Sequence, residues 1–178
     1  MALPADVAPA SLPIEDVTLL IFGASGDLTA RKLVPALFQL ARNGYLSPRS
    51  LVVGVARREK TDEQFRQEMH DAVRSSRSND FDEQVWAEFA SRLCYEPVEL
   101  DQASEFTKLR QRVEEREKSA GLTGRRVVYL ATTPELFLPS VEGLAAADML
   151  PPRPHRDRLR IVFEKPFGHD LASAQTLS

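Results

Sequence analysis

The stretch 21–38, IFGASGDLTARKLVPALF, decides the fold that this sequence predicts. A short apolar run ends at Gly23, the chain turns to Gly26, and a helix follows. This is the outline of a phosphate-binding turn, because glycine lets a phosphate approach the main chain and a helix start presents unpaired N–H groups. The usual dinucleotide fingerprint has a third glycine. Here Thr29 stands where that small residue would pack the helix against the strand.

Apolar runs of strand length alternate with helical segments along the rest of the chain. The predicted strands are 17–22, 51–55, 93–100, 127–131 and 159–163, and Pro97 weakens the third. The predicted helices start at Asp27 or Leu28 (to 42), at 61 (to 77), at 81 (to 93), at 104 (to 119), at Thr133 as the cap, and near Asp170. Parallel strands are buried on both faces and need long crossovers. The pattern therefore predicts an α/β fold, a doubly wound, mostly parallel Rossmann-like sheet with helices on both faces.

Two local patterns make finer predictions about the helices. The residues 61–64, Thr-Asp-Glu-Gln, form a capping box, in which the first and last side chains exchange hydrogen bonds with each other's main chain. Pro35 lies inside the first helix, where it removes a main-chain hydrogen bond. We therefore predict a kink near residues 31–35.

Composition bounds the organisation and the class of protein. The 178 residues suggest one domain, in which 1–16, rich in Ala and Pro, form a disordered leader and 17–178 form the folded part. A net charge of -3 argues against nucleic acid, and the chain has no apolar run of transmembrane length. Cys94 is the single cysteine, which excludes an internal disulfide and fits a reducing, cytoplasmic location. We expect no metal site.

The end of the second predicted strand indicates which dinucleotide is bound. In such folds an acid at this place accepts from the ribose 2′-OH of NAD, whereas an arginine accommodates the 2′-phosphate of NADP. Arg57 and Arg58 stand there, and the first acid is Glu59, beyond the strand end. Guanidinium matches phosphate with two parallel hydrogen bonds. The pair favours NADP, with Arg57 the first choice; the alternative is two solvated surface arginines.

The residues 164–168, Glu-Lys-Pro-Phe-Gly, follow the fifth predicted strand. Ligands of open α/β sheets bind outside the carboxyl ends of the strands, so Lys165 can donate to a phosphate or a sugar hydroxyl. Pro166 restricts the backbone, with its peptide bond cis or trans. The alternative is a simple strand exit with a surface Lys-Glu pair.

Four segments together carry a family resemblance: 23–38 (GASGDLTARKLVPALF), 54–61 (GVARREKT), 129–134 (YLATTP) and 162–177 (VFEKPFGHDLASAQTL). In this order they resemble the start of the glucose-6-phosphate dehydrogenases, over residues 17–178. The resemblance implies oxidation of D-glucose 6-phosphate at C1 to 6-phospho-glucono-1,5-lactone with hydride transfer to NADP, the entry to the pentose phosphate pathway.

The resemblance also implies roles for individual residues. Residues 23–28 would hold the pyrophosphate, Arg57 the 2′-phosphate, and Lys165 both the sugar phosphate and the cofactor. The 130–134 segment would form the wall beside the nicotinamide, although the family's paired prolines are here Thr133-Pro134. The cofactor-binding set is Gly23, Ala24, Ser25, Gly26, Asp27, Leu28, Arg57, Arg58, Thr132, Pro134, Lys165 and Pro166, with Lys165 also binding the substrate.

The family carries a second α+β domain with a motif resembling Asp-His-Tyr-Leu-Gly-Lys, whose histidine is the general base. The sequence contains no such motif, and we assign no catalytic base to His70, His155 or His169. We therefore expect this chain to be the NADP-binding part of a longer enzyme and to be inactive alone. The resemblance implies that the longer protein forms homo-oligomers through the second domain.

Two alternatives remain open from the sequence. Sugar and inositol dehydrogenases also place a Glu-Lys-Pro corner on a dinucleotide fold, but they typically carry Gly-x-Gly-x-x-Gly. The second alternative is a non-catalytic module that binds NADP without chemistry.

Overall fold

A computed structural model describes residues 15–76, 81–152, 155 and 158–164 of the chain. The five strands are β1 (Thr18–Phe22), β2 (Leu51–Ala56), β3 (Leu93–Pro97), β4 (Arg126–Leu130) and β5 (Leu159–Phe163). The α-helices are α1 (Val34–Arg42), α2 (Asp62–Ser76), α3 (Glu83–Ala90), α4 (Ala103–Ala120) and α5 (Phe137–Ala146). Every predicted strand is present within two residues at its start, and the predicted helix near Asp170 lies outside the described residues.

The strands form one sheet in the order β3-β2-β1-β4-β5, and every pair is parallel. The chain first winds outward from β1 through β2 to β3, and then crosses back to add β4 and β5 on the other side of β1. The carboxyl ends of β1 and β4 therefore diverge at a topological switch point, where such sheets bind their ligands. The predicted doubly wound α/β fold is confirmed.

Alternate side chains of the sheet enter two separate cores. Leu20, Phe22 and Leu130 face one core with α4 and α5, whereas Ile21 and Val52 face the other with α1, α2 and α3. Burial of a Phe or Leu side chain stabilises a fold by about 1.5–3 kcal/mol. The sheet is thus fixed from both faces, and its carboxyl edge is the part left open to a ligand.

Glycine brings elements closer together than any other residue would allow. A Cβ atom on Gly54 of β2 would lie 2.7 Å from the Phe65 ring and 2.8 Å from the Ala24 Cβ. On Gly143 of α5 it would lie 2.4 Å from the Phe106 ring of α4. These contacts are far below normal van der Waals separation, so both positions require glycine for packing.

The predicted capping box is present at the start of α2. The Thr61 N–H donates to Gln64 Oε1 at 2.9 Å, and the Gln64 N–H donates to Thr61 Oγ1 at 3.2 Å. The first helix is irregular in the region where a kink is predicted. Residues Thr29–Leu33 form a π turn, and the Val34 N–H donates to the Thr29 carbonyl five residues back. The wider turn directly precedes Pro35, which has no N–H to donate.

One boundary predicted from the sequence is wrong, and one predicted helix start is present with a different first turn. The helix predicted for 81–93 ends at Ala90, because Leu93 instead pairs with Val52 at the start of β3. Thr133 holds the cap position, but its side chain makes no capping hydrogen bond, and a short 3-10 turn, Pro134–Leu136, precedes α5. At the end of α3, pairing in the sheet overrides the local helical pattern.

Candidate dinucleotide site

A cavity of about 210 Å³ opens at the carboxyl edge of the sheet, across the switch point between β1 and β4. It gathers loops that follow four of the strands. Its lining residues are Gly23, Ser25, Ala56, Arg57, Glu99, Leu100, Asp101, Thr132 and Leu136. Four of the predicted cofactor-binding residues, Gly23, Ser25, Arg57 and Thr132, therefore come together around one space.

The glycine turn after β1 is held by its main chain. Gly23 has φ of 87°, in the left-handed region, and a Cβ there would lie 2.5 Å from the Ala131 carbonyl oxygen. The N–H groups of Gly23 and Ala24 both donate to the Val55 carbonyl, at 2.9 and 3.2 Å. The Gly26 N–H donates to the Gly23 carbonyl at 2.9 Å. The turn is thus hydrogen-bonded to β2 and packs closely against Ala131, the residue that follows β4.

Other N–H groups of the same turn remain available. Among the described residues, no main-chain carbonyl accepts from Ser25, Asp27 or Leu28. Asp27 and Leu28 lie in the first helical turn, whose N–H groups have no partner within a helix and carry its positive dipole end. The local geometry therefore fits a bound phosphate.

Thr29 occupies the place of the missing third glycine. Its side chain is completely buried between helix and strand, and Oγ1 donates to the Gly23 carbonyl at 3.3 Å. A threonine at this place therefore fills the contact between helix and strand and also holds the glycine turn.

The arginines after β2 differ in their relation to the cavity. Both are exposed, but only Arg57 lines the cavity. Within the part of the chain that the structure describes, neither guanidinium has an ion pair or a hydrogen bond. An unpaired guanidinium beside a helix start that presents free N–H groups gives this edge two features that suit an anionic ligand.

The loop after β4 forms the opposite wall. Thr132 lines the cavity, while Pro134 begins the 3-10 turn that carries Leu136 into the lining. Among the described residues the buried Thr132 Oγ1 has no hydrogen-bond partner. Ala24, Gly26, Asp27, Leu28, Arg58 and Pro134 adjoin the cavity along the chain without lining it.

The last described residue, Glu164, is fixed at the end of β5. It accepts a hydrogen bond from the hydroxyl of Tyr129 on β4. Burial, together with this hydrogen bond, raises the pKa of Tyr129 to about 12, so the phenol stays a donor at neutral pH. The predicted site residues Lys165 and Pro166, and His169, lie outside the described residues. The two described histidines lie elsewhere: His70 contacts α3, and His155 precedes β5 at the amino edge of the sheet.

The sequence did not point to the acidic side of the cavity. Glu99 and Asp101 are exposed and flank the buried Leu100 in the loop after β3. Their one available signal was position, since they follow a predicted strand at its carboxyl end. Which strand lies beside β2, however, is a property of the sheet order that the local sequence does not state.

Comparisons with known proteins agree with this site. Residues 20–178 match the family described as "Glucose-6-phosphate dehydrogenase, NAD binding domain". A glucose-6-phosphate 1-dehydrogenase of Chlamydia pneumoniae is 43% identical over 161 residues, which cover 89% of this chain and 31% of that protein. The protein of the same name in Bacillus subtilis is 34% identical over 90% of this chain and 31% of its own length. The chain thus spans about a third of these relatives.

Solved structures give the same result. A glucose-6-phosphate 1-dehydrogenase from Mycobacterium avium superposes with a TM-score of 0.76 at 33% identity, covering 92% of this chain and 32% of that one. A glucose-6-phosphate dehydrogenase in complex with glucose-6-phosphate has a TM-score of 0.79 at 34% identity, with coverages of 92% and 33%. The glycine turn, the parallel sheet and these matches together show that the chain belongs to the glucose-6-phosphate dehydrogenase family and corresponds to its NAD-binding domain.

Proposed function

We propose that this chain binds NADP and forms the coenzyme part of an enzyme that oxidises D-glucose 6-phosphate at C1 to the 1,5-lactone, the entry to the pentose phosphate pathway. When bound, the nicotinamide accepts the hydride. The chain's own task is to hold and orient the dinucleotide across the switch point of its sheet. The observation that carries the proposal is the shared cavity of Gly23, Ser25, Arg57 and Thr132.

The glycine turn supplies the pyrophosphate contact in this proposal. A phosphate above Ser25 meets the N–H groups of Ser25, Asp27 and Leu28, for which no described carbonyl competes. The backbone can be approached closely there, because Gly23 and Gly26 carry no side chain. The dipole of the first helix adds attraction for negative charge.

Arg57 supplies the preference for NADP over NAD. Arg57 lines the cavity, and its guanidinium has no partner among the described residues, so it is free to pair with a 2′-phosphate. Arg58 is exposed beside it and adds positive charge without lining the cavity. The carboxylates of Glu99 and Asp101 in the same lining work against a second negative charge. Arg57 therefore has to outweigh them by direct contact.

Proton removal and the substrate contacts other than that of Lys165 belong to other parts of the protein in this proposal. A general base must come within hydrogen-bond reach of the hydroxyl that it deprotonates. Of the described residues, neither His70 nor His155 approaches the cavity. We propose that the chain alone binds NADP but does not oxidise glucose 6-phosphate, and that Lys165 contacts both ligands in the complete enzyme.

The direct test is a titration of the 178-residue chain with NADP and with NAD, repeated with Arg57→Ala. We expect the wild type to prefer NADP, and the variant to lose about 10- to 100-fold in NADP affinity, the range for a charge-assisted hydrogen bond. NAD affinity should change less than about threefold, since NAD offers this guanidinium no phosphate.

Arg49→Ala is the matched control, because Arg49 also lies in a loop of the sheet but pairs with Asp16, away from the cavity. An unchanged NADP preference in Arg57→Ala would refute the assignment of the 2′-phosphate contact. Production of NADPH from glucose 6-phosphate by the purified chain would refute the claim that it is inactive alone.

A further inference from the structure

The loop that carries Arg57 is fastened on both sides of that residue. On its amino side, the Ala56 carbonyl accepts the Val98 N–H at 3.1 Å as β2 and β3 separate. On its carboxyl side, the Arg58 carbonyl accepts the hydroxyl of Tyr95 at 2.8 Å. Arg57, which lines the cavity, therefore lies between two main-chain carbonyls that are each held by a hydrogen bond.

Tyr95 reaches the loop from β3, the strand beside β2. Only 2% of the residue is exposed, and its ring packs against Phe65 of α2 at 5.2 Å between centroids. The Lys60 ammonium lies 5.8 Å from the same ring and pairs with Glu68 of α2. The Tyr95 ring thus packs between α2 and the loop that carries Arg57.

The hydroxyl of Tyr95 has one proton and two carbonyls within reach. The Arg58 carbonyl at 2.8 Å is the main acceptor, and the Ala56 carbonyl at 3.4 Å is a weak second contact that already has the Val98 N–H. Among the described residues, the Tyr95 phenol is therefore the donor that holds the Arg58 carbonyl in place. Burial raises the pKa of Tyr95 to about 12, which keeps the phenol protonated and donating at neutral pH.

A second fastening holds the strand that presents Tyr95. The main-chain N–H of Tyr95 donates to Asp62 Oδ1 at 2.7 Å. The Asp62 carboxylate also pairs with Arg116 of α4 at 2.9 Å. The phenol is thus anchored to α2 and α4 and can impose a position on the loop. An anchored donor transmits position better than a mobile side chain, since its ordering entropy is already lost.

We propose that Tyr95 determines coenzyme specificity as a positioning residue: its hydroxyl sets the loop so that the Arg57 guanidinium meets the 2′-phosphate of NADP. The inference rests on the proposed NADP site. NAD has no 2′-phosphate, so its binding does not depend on where this guanidinium lies. Removing the hydroxyl should therefore weaken NADP selectively, whereas a purely structural role would weaken both dinucleotides alike.

The test is Tyr95→Phe in the 178-residue chain, which keeps the ring and its packing. We expect NADP affinity to fall about fivefold, within the range for one neutral hydrogen bond, and NAD affinity to change less than about twofold. Adenosine 2′,5′-bisphosphate and 5′-AMP serve as smaller probes. The first should lose affinity as NADP does, and the second should not.

Cys94→Ala is the control for general loss of stability, because Cys94 precedes Tyr95 but enters the opposite core. It should destabilise the chain without changing the ratio of the two affinities. A Tyr95→Phe variant with an unchanged ratio, or with equal losses for NADP and NAD, overturns the inference while Arg57→Ala still supports the site. A wild type without NADP preference, or an Arg57→Ala variant that retains it, overturns both.

Discussion

The glycine turn after β1 and the arginine loop after β2 face the same cavity, but they are held in different ways. The turn is fixed by main-chain bonds and by the absence of side chains, since a Cβ on Gly23 would meet the Ala131 carbonyl at 2.5 Å. The loop is held by one main-chain bond before Arg57 and, after it, by a side chain from another strand, the Tyr95 hydroxyl on the Arg58 carbonyl. The turn has no room for a side chain at position 23. The position of the arginine loop, in contrast, can be altered by changing a single side-chain contact.

This difference suits what each loop would recognise. A pyrophosphate is common to NAD and NADP, so the contact that holds it gains from a rigid main chain. The 2′-phosphate distinguishes the two coenzymes, and a side chain placed by its neighbours can change without disturbing the fold. We therefore expect variants of the turn to remove binding of both dinucleotides and variants of the loop to change preference.

Gly23→Ala should have the largest effect. The new methyl group meets a carbonyl oxygen and adopts φ near 87°, so we expect about 3 kcal/mol lower stability from strain and overpacking. Binding of NADP and NAD should fall together below detection, since the turn must open to relieve the clash. Urea unfolding and calorimetric titration measure the two effects.

Gly44→Ala is the matched control for this change. Gly44 also has a positive φ, 74°, but nothing lies within 4 Å of its Cβ position. It should cost only about 1 kcal/mol of conformational strain and leave dinucleotide binding unchanged. Equal binding losses in the two variants would show that the clash with Ala131 does not matter.

The paired change Glu99→Gln with Asp101→Asn should have an intermediate effect of opposite sign. Both carboxylates are exposed and line the cavity with Arg57, so removing them reduces repulsion of the 2′-phosphate. We expect NADP affinity to rise about threefold at low ionic strength, and the gain to shrink as salt screens the charges. NAD should respond less.

A loss of NADP affinity in that double variant would contradict the repulsion. It would mean that a carboxylate accepts a hydrogen bond from the coenzyme itself. Glu88→Gln with Glu115→Gln, two exposed carboxylates on α3 and α4 that do not line this cavity, removes the same number of charges and controls for the change in net charge.

The smallest expected effect is a pH dependence of stability. It comes from His70, at the place where α2 packs on α3. The ring of His70 contacts Asp71 at 3.0 Å and Glu83 of α3 at 3.1 Å. The hydrogen bond to Asp71, supported by Glu83, raises the pKa of His70 above its usual 6.5 in spite of partial burial. The charged imidazole therefore stabilises the fold below pH 6.5, and this contribution disappears as pH rises through the higher folded-state value.

Urea unfolding between about pH 6 and pH 8 measures how the free energy of unfolding changes with pH. His70→Gln should reduce this pH dependence. The ratio of NADP to NAD affinity should stay constant over the same range, since His70 does not touch the loop. A preference that follows the His70 titration would show that α2 transmits its packing to Arg57, so that Tyr95 would not set the arginine loop alone.

Features that a short segment determines were predictable from the sequence. The glycine turn and the capping box at Thr61 are local patterns, and the continuous apolar runs marked every strand. The contacts of Tyr95 were not predictable, because it and Ala56 are 39 positions apart and meet only when β3 lies beside β2. Glu99 and Asp101 depend on the same strand order. The predicted end of α3 was wrong for a related reason, because Leu93 pairs with Val52 in the sheet.

Gly54 gives the two loops a common neighbour. Ala24 of the glycine turn and the Phe65 ring, which also packs against Tyr95, both lie within 3 Å of the place that a Cβ on Gly54 would occupy. Any side chain added there would push against both neighbours at once, so the contacts proposed for the pyrophosphate and for the 2′-phosphate would shift together. The missing side chain of Gly54 thus sets the spacing between the glycine turn and the packing that supports the arginine loop.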